Sequence, residues 1–482
     1  MKQLGGIDAT FLYMETPETP MHVAGLTLFE PPATLSGSFH AHFLEFLKGR
    51  LHLAPIFQKR LARTVFELDH PGWVDAGEID WDYHVRRHDL PAPGTFRQLE
   101  EFVGEAHAAR LDRARPLWQF TVVEGLEDGN VAIYSKVHHA AVDGGAGMAI
   151  AAALYDLGPV PRTVKPPPPR SASRRKPTIE ERAALGVHDL VASMARQHLK
   201  AMEAVPRALN QALGLLAPKP GSETALPDLA DLMAPKTPFN ATIGAARAYA
   251  ARAVSLADAR IVARATGAKI NDVVMAVCAG ALRPYLRKRK ALPRKPLVAF
   301  VPISLREPGN ADASNQVFGM NCAIATQIAD PLERLMAIRK ASGGSKALAG
   351  GVKDVAPKDF SLLGAPVLLP GLAQLFGATG LADLLPSAVN LTISNVPGPP
   401  VPLYCAGARI LALWPVSIPV HGIALNITVQ SYQDQLDFGL TACRKAVPDI
   451  AELADLLAPA LAELKAAVEA KANGAGAGVA GP

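Results

Sequence analysis

The densest run of side chains able to do chemistry is Lys136-Val-His138-His139-Ala-Ala-Val-Asp143-Gly144-Gly145. Imidazole titrates near neutral pH, so a histidine here can act as a general base. It would take a hydroxyl proton as the oxygen attacks a thioester carbonyl, an effect worth ~10²–10⁴-fold. Neighbouring residues of extended backbone point to opposite sides, so His138 and His139 cannot both face a substrate equally. One is expected to be the base and the other a packed or hydrogen-bonded support. Asp143 can orient the base, as the acid of a triad does, or tie the loop down through an ion pair. A bare His-His pair at a strand end is more often a core feature, with Asp-Gly only a turn. The complete HHxxxDG pattern in a strand-loop-helix setting points to chemistry instead. No metal site is expected, because adjacent histidines diverge and no third ligand lies at a usual spacing. No GxSxG elbow occurs, so nothing supports a serine or cysteine nucleophile.

The elements that must hold this run are mixed. Before it, His22–Phe29 and Val131–Val137 read as strands and Phe96–Leu111 as a helix; after it, Met148–Leu157 reads as a helix. Pro159–Pro177, with four consecutive prolines and no acid, reads as an exposed basic linker. An amphipathic helix is expected over Thr178–Leu213, opened by the capping pattern Thr178-Ile-Glu-Glu181, and a loose stretch over Ala217–Asn240. The second half reads as a helix to about Arg264, a helix over Lys269–Lys288, and strands at Leu297–Ile303, Asn321–Gln327, Val389–Ser394 and Ala424–Tyr432. A helix over Ile450–Ala472 and a Gly/Ala tail close the chain. The expected division is therefore a first domain over 1–158, a linker over 159–240, a second domain over 241–472 and a disordered tail over 473–482.

Composition narrows the function classes. With 49% hydrophobic and 19% charged residues the chain is globular and slightly greasy, not disordered. A net charge of +5 suits anionic lipid head groups or a nucleotide phosphate, but falls short of a nucleic-acid footprint. Cys278, Cys322, Cys405 and Cys443 lie far apart without CxxC spacing, which fits free thiols in a reducing cytosol. The opening MKQLGGIDATFLYMETPETP lacks the apolar core of a secretory signal. Phe360–Ala382 is uncharged and long enough to span a bilayer, but Pro366, Pro370 and its glycines would break a lone helix in lipid. It is read as core helices or as an acyl-binding or membrane-contacting surface.

HHAAVDG at 138–144 resembles the signature of coenzyme A-dependent acyltransferases of the chloramphenicol acetyltransferase-like fold and of peptide-synthetase condensation domains. The opening LGGIDATFLYMETPETPMHVAGLTLFE, Arg115-Pro116-Leu117-Trp118, Asn271-Asp272-Val-Val-Met-Ala276 and Ser394-Asn395-Val-Pro-Gly-Pro399 together resemble, in order, the bacterial wax ester synthase/diacylglycerol acyltransferase family. Met275 stands where a Leu is usual. The resemblance implies an α/β (α+β) fold of two chloramphenicol acetyltransferase-like domains, each a mixed sheet with helices, with the active-site channel at their interface. Fatty acyl-CoA would enter from one side and a long-chain alcohol or diacylglycerol from the other. By motif, His139 is the general base, His138 and Asp143 shape the loop, and Gly144 permits close backbone passage.

The remaining motif residues carry two readings each. Pro116, Leu117 and Trp118 form a core anchor or line the channel. Asn271 and Asp272 cap a helix or, for Asn271, reach the pocket. Ser394 and Asn395 begin a junction turn or help hold the thioester and its oxyanion. Arg306 is an ion-pair partner for Asp143 or a solvated arginine. No cofactor and no metal are expected, coenzyme A arriving with the donor substrate. Association with the inner face of the cytoplasmic membrane or with lipid inclusions is expected to be peripheral, and no nucleic-acid partner is expected. The competing readings are a lipid-inclusion binding protein on an inactive scaffold, and an acyltransferase fed by a carrier protein.

Overall fold

Period-two apolar runs on both sides of the basic linker form strands, and a computed structural model describes residues 2–62, 70–142, 144–166, 233–304, 317–352 and 365–477. In chain order the strands are β1 Lys2–Gln3, β2 His22–Glu30, β3 Lys59–Ala62, β4 Gly72–Asp75, β5 Val85–Asp89, β6 Trp118–Glu124, β7 Val131–His138 and β8 Arg247–Ser255. They continue as β9 Val298–Ser304, β10 Val317–Ala323, β11 Leu391–Val396, β12 Tyr404–Cys405, β13 Ala408–Val416, β14 Leu425–Tyr432 and β15 Gln435–Cys443. The helices are α1 Gly6–Met14, α2 Phe39–Arg50, α3 Trp81–His84, α4 Phe96–Ala108, α5 Gly144–Leu154 and α6 Leu256–Thr266. After them come α7 Ile270–Lys288, α8 Pro331–Val352, α9 Ala365–Ala378, α10 Leu381–Leu384, α11 Ile450–Asp455 and α12 Leu457–Ala477.

Two six-stranded sheets carry the architecture, ordered β12-β13-β2-β7-β6-β5 and β10-β9-β11-β14-β15-β8, with a small β1-β4-β3 sheet beside the first. Both are mixed: β5 and β6 run parallel in the first, and β11 runs parallel to both β9 and β14 in the second. Helices α6, α7, α8, α11 and α12 close one face of the second sheet around a core that includes Val274, Cys278, Leu282, Phe438 and Leu457. Helix α4 joins the halves. It starts on a capping box in which Thr95 N–H donates to Gln98 Oε1 at 2.7 Å and Gln98 N–H to Thr95 Oγ1 at 3.3 Å. Its Gly104 runs so close to β8 that a Cβ there would lie 2.9 Å from the Arg247 carbonyl oxygen.

Several sequence expectations move. Residues 247–255 read as helix, because alanine favours it, yet they form β8, paired along their whole length with β15 from Arg247↔Cys443 to Ser255↔Gln435. The strand expected at Asn321–Gln327 lies earlier, as β10, because Ala325 turns the chain with φ 48°. The expected closing helix is two helices, with Pro459 in the first turn of the second, and the second continues past Ala472 to Ala477. Most consequential, β12 and β13 leave the second half in sequence and extend the first sheet, β13 pairing with β2 from Arg409↔Glu30 to Val416↔Ala24. The helix expected at Thr178–Leu213 lies outside the described residues, as do 167–232 and 478–482 generally.

The start of the linker is exposed yet tethered. Asp156, buried after α5, pairs with Arg50 at 2.8 Å and Arg162 at 2.6 Å, and Arg50 Nη2 donates to the Arg162 carbonyl at 2.8 Å. Arg162 is therefore not a loose linker cation. None of the four cysteines forms a disulfide, and all are buried. No single helix among the described residues is long and apolar enough to cross a membrane.

Candidate active site

Strand β7 is buried along nearly its whole length and ends at the two histidines. Its end is fixed from both sides: His138 N–H donates to the Leu117 carbonyl at 2.9 Å, and His139 N–H donates to the Met21 carbonyl at 2.8 Å. Residues 139–141 then turn as a short 3₁₀ segment before α5 begins at Gly144. His138 is fully buried, and its Nδ1 accepts the Ala140 N–H at 3.1 Å. His139 leaves the strand in a different direction and stacks on Phe11 of α1, ring centroids 3.8 Å apart at 16°.

His139 Nδ1 is buried and takes no hydrogen bond from another residue. Burial pushes the His139 pKa down to about 4; contact with its own backbone pulls upward, and His138 pushes further down. The ring is thus neutral and able to accept a proton throughout the physiological range.

Behind His138 lies a charged support that sequence reasoning missed. Glu15, capping the C-terminal end of α1, has its Oε2 3.7 Å from His138 Nε2 and accepts from Arg113 Nε at 2.7 Å. Arg113 also donates to the Leu12 carbonyl at 2.6 Å, so one guanidinium ties down the end of the helix that carries Phe11. Burial pushes Glu15 up, but the nearby His138 ring, with the charge and hydrogen bond of Arg113, holds its carboxyl below the usual range. Burial also lowers His138, against the pull of Glu15. From the second half, Arg247 donates to the Glu18 carbonyl and, at 2.6 Å, to the Gly244 carbonyl, holding the α1–β2 loop across the junction. Phe11 and Glu15 lie inside the opening motif, where their types alone gave no role. Arg113 stands two residues before the Arg115–Trp118 motif.

A cavity of about 420 Å³ opens beside β7. Gly25, Thr27 and Ser135 line it from the first sheet, Tyr155 from the end of α5, Leu413 and Trp414 from β13, and Gln430 and Pro399 from the second half. Ser135 precedes His138 by three residues, about 10 Å along the strand. The cavity therefore sits where the two sheets meet, and neither His138 nor His139 lines it.

The other sequence candidates fall as follows. Leu117 supplies the carbonyl under His138, and Trp118 is buried, its Nε1 donating to the Phe57 carbonyl at 2.9 Å, with His84 stacked on it. Asp272 caps α7 through the Lys269 N–H at 3.0 Å and accepts from Ser342 Oγ at 2.7 Å, while Asn271 sits one residue earlier in that helix. Ser394 and Asn395 pair with Thr428 and Val429 of β14. The turn after them needs Gly398, whose Cβ would lie 1.9 Å from the Ser431 carbonyl oxygen. Neither helix α7 nor β11 supplies a described hydrogen bond or ring contact to His138 or His139. Asp143 and Arg306, and with them the ion pair expected between the two, lie outside the described residues; Gly144 is the first residue of α5.

Comparison with known proteins places this geometry. The two-sheet fold is shared with the first condensation domain of the calcium-dependent antibiotic synthetase, at TM-score 0.52 and 16% identity over 96% of this chain and 95% of that one. The likeness to a wax ester synthase/diacylglycerol acyltransferase from Marinobacter aquaeolei VT8 is stronger, with TM-score 0.69 and 32% identity over 97% of this chain and 100% of that one. A probable diacylglycerol O-acyltransferase of Mycobacterium tuberculosis is 38% identical over 468 residues, covering 96% of this chain and 98% of that protein. The wax ester synthase/diacylglycerol acyltransferase catalytic domain matches residues 4–274, and the C-terminal domain of the same family matches residues 313–465. The family models and relatives are those of an acyltransferase. The chain belongs to the wax ester synthase/diacylglycerol acyltransferase family.

Proposed function

We propose that the chain transfers a fatty acyl group from acyl-CoA to a long-chain alcohol, to diacylglycerol, or to both, with His139 as general base. The observation that carries this reading is the His139 ring itself: neutral, pinned by Phe11, with Nδ1 sealed off and Nε2 left to act. Nε2 takes the proton of the acceptor hydroxyl as its oxygen attacks the thioester carbonyl carbon. The tetrahedral intermediate collapses with cleavage of the carbon–sulfur bond. The departing coenzyme A thiolate takes the proton back from the imidazolium, so ester and free thiol leave and the base is restored. The junction cavity, mostly apolar with a few hydroxyl and amide groups, suits one of the two acyl chains. A panel of alcohols and diacylglycerols offered with radiolabelled acyl-CoA tests the assignment. Labelled wax ester or triacylglycerol is the expected product, and hydrolysis to free fatty acid alone would refute it.

We also propose that the enzyme works at a lipid surface, because its acceptors are water-insoluble. Support comes from α9, α10 and the residue that ends α10, where Leu372, Leu375, Leu384 and Leu385 are exposed at 60%, 57%, 78% and 54%. Helix α9 packs on α1, the helix that carries Phe11. The cations Lys165, Arg170, Arg174, Arg175 and Lys176 of the linker would add salt-sensitive attraction of about 1 kcal/mol each near an anionic leaflet. Flotation with anionic liposomes should recover the protein, less so at high salt; no flotation at any salt refutes surface binding.

A further inference from the structure

Taking His139 as the base, we propose that Glu15 is a positioning residue. Its carboxylate keeps the proton of His138 on Nε2, and so keeps the turn that presents His139 in place. The inference starts from the Ala140 N–H, which donates to His138 Nδ1 at 3.1 Å. A ring nitrogen that accepts a hydrogen bond carries no proton, so the neutral ring must hold its proton on Nε2. That nitrogen is buried and has no hydrogen-bond partner. What faces it is Glu15 Oε2 at 3.7 Å, beyond hydrogen-bond length but close enough for a strong Coulombic pull in a site shut off from water. Glu15 Oε1 is likewise buried without a partner, so Arg113 and His138 are the groups its carboxylate answers to.

The other tautomer fails on both sides. A proton on Nδ1 would confront the Ala140 N–H donor to donor, and the bare Nε2 lone pair would then face a carboxylate. Glu15 therefore selects the tautomer that leaves the Ala140 bond intact. Three backbone N–H hydrogen bonds hold the turn at His139: its own on the Met21 carbonyl, that of Ala140 on His138 Nδ1, and that of Val142 on the His139 carbonyl at 3.2 Å. Losing the second frees the backbone directly after the base, and a displacement of about 1 Å at a reacting group can cost about 10²-fold. Glu15 acts through His138 and touches no substrate atom.

The test reads the tautomer directly. In protein labelled with ¹⁵N-histidine, with His138 assigned by its loss in His138→Gln, long-range ¹H–¹⁵N correlation at pH 7 should show the proton on Nε2. A proton on Nδ1 in the wild type overturns the proposal, whatever any variant does. Glu15→Gln should lower kcat about 10²-fold, leave KM for acyl-CoA within about threefold, and shift His138 toward the Nδ1 form. Glu15→Asp, which keeps the charge, should restore the Nε2 form and most of the turnover. Wild-type kcat in Glu15→Gln, or a Glu15→Asp protein that folds with the Nε2 form lost, would overturn it. An active His139→Ala enzyme with His138 still protonated on Nε2 would instead refute the base assignment and leave the tautomer claim standing.

Discussion

Asp437 offers a quantitative test of how the two halves are joined beside the cavity. It lies on β15 and is fully buried; its Oδ2 accepts the N–H of Leu413 from β13 at 2.8 Å, while Oδ1 has no partner. Burial pushes its pKa from 3.8 up to about 7, the Leu413 bond pulling only partly back. Unfolded, the carboxyl ionises near 3.8; folded, near 7. Between those values the folded chain holds a proton that the unfolded chain has lost. Stability from this group is thus full below about pH 4 and is lost as pH rises through 7. At about 1.4 kcal/mol per pH unit the loss comes to about 4 kcal/mol. The buried histidines act with the opposite sign. His84 and His139 sit near 4 and His107 near 3, so their stabilisation is present above about 6.5 and falls as pH drops. The difference between wild type and Asp437→Asn isolates the one group, since the amide keeps the Leu413 bond and cannot ionise. Melting curves of both proteins from pH 4.5 to 8 should diverge, the variant gaining about 10 °C on the wild type for a cooperative unit of about 200 residues. Parallel curves would mean that Asp437 ionises normally in the folded protein and that the junction is wetter than the geometry implies.

Other outcomes follow from single residues. The acid limb of the kcat/KM profile should lie near pH 4, because only neutral His139 accepts a proton; the rate should be flat from about pH 5.5 to 7.5, and a limb at 6.5 would contradict the buried ring. Gly398→Ala should lower the melting temperature by at least about 5 °C and reduce turnover, because its Cβ would be driven into the Ser431 carbonyl; unchanged melting would show that the Ser394–Pro399 turn has room to move.

How much of this could be read in the sequence depends on the range of the interaction. The strand-loop-helix around His138 and His139 is local, and apolar alternation before it and a small-residue run after it made it legible. Helix α7 was legible for the same reason. Residues 247–255 were not: their alanines favour helix, and only pairing with β15, nearly 190 residues away, makes them a strand. The crossing of β13 into the first sheet depends on its fit to β2, which no local pattern encodes. Glu15 and Arg113 read as one more acid and one more base. Their role appears only when α1 folds back so that its C-terminal end meets the end of β7.

The most direct test of the account is coenzyme A release by purified His139→Ala supplied with fatty acyl-CoA and a diacylglycerol or long-chain alcohol. Turnover should fall by at least about 10²-fold, with the melting temperature and donor KM close to wild type, while His138→Ala loses less. Near-wild-type release by folded His139→Ala would contradict the account.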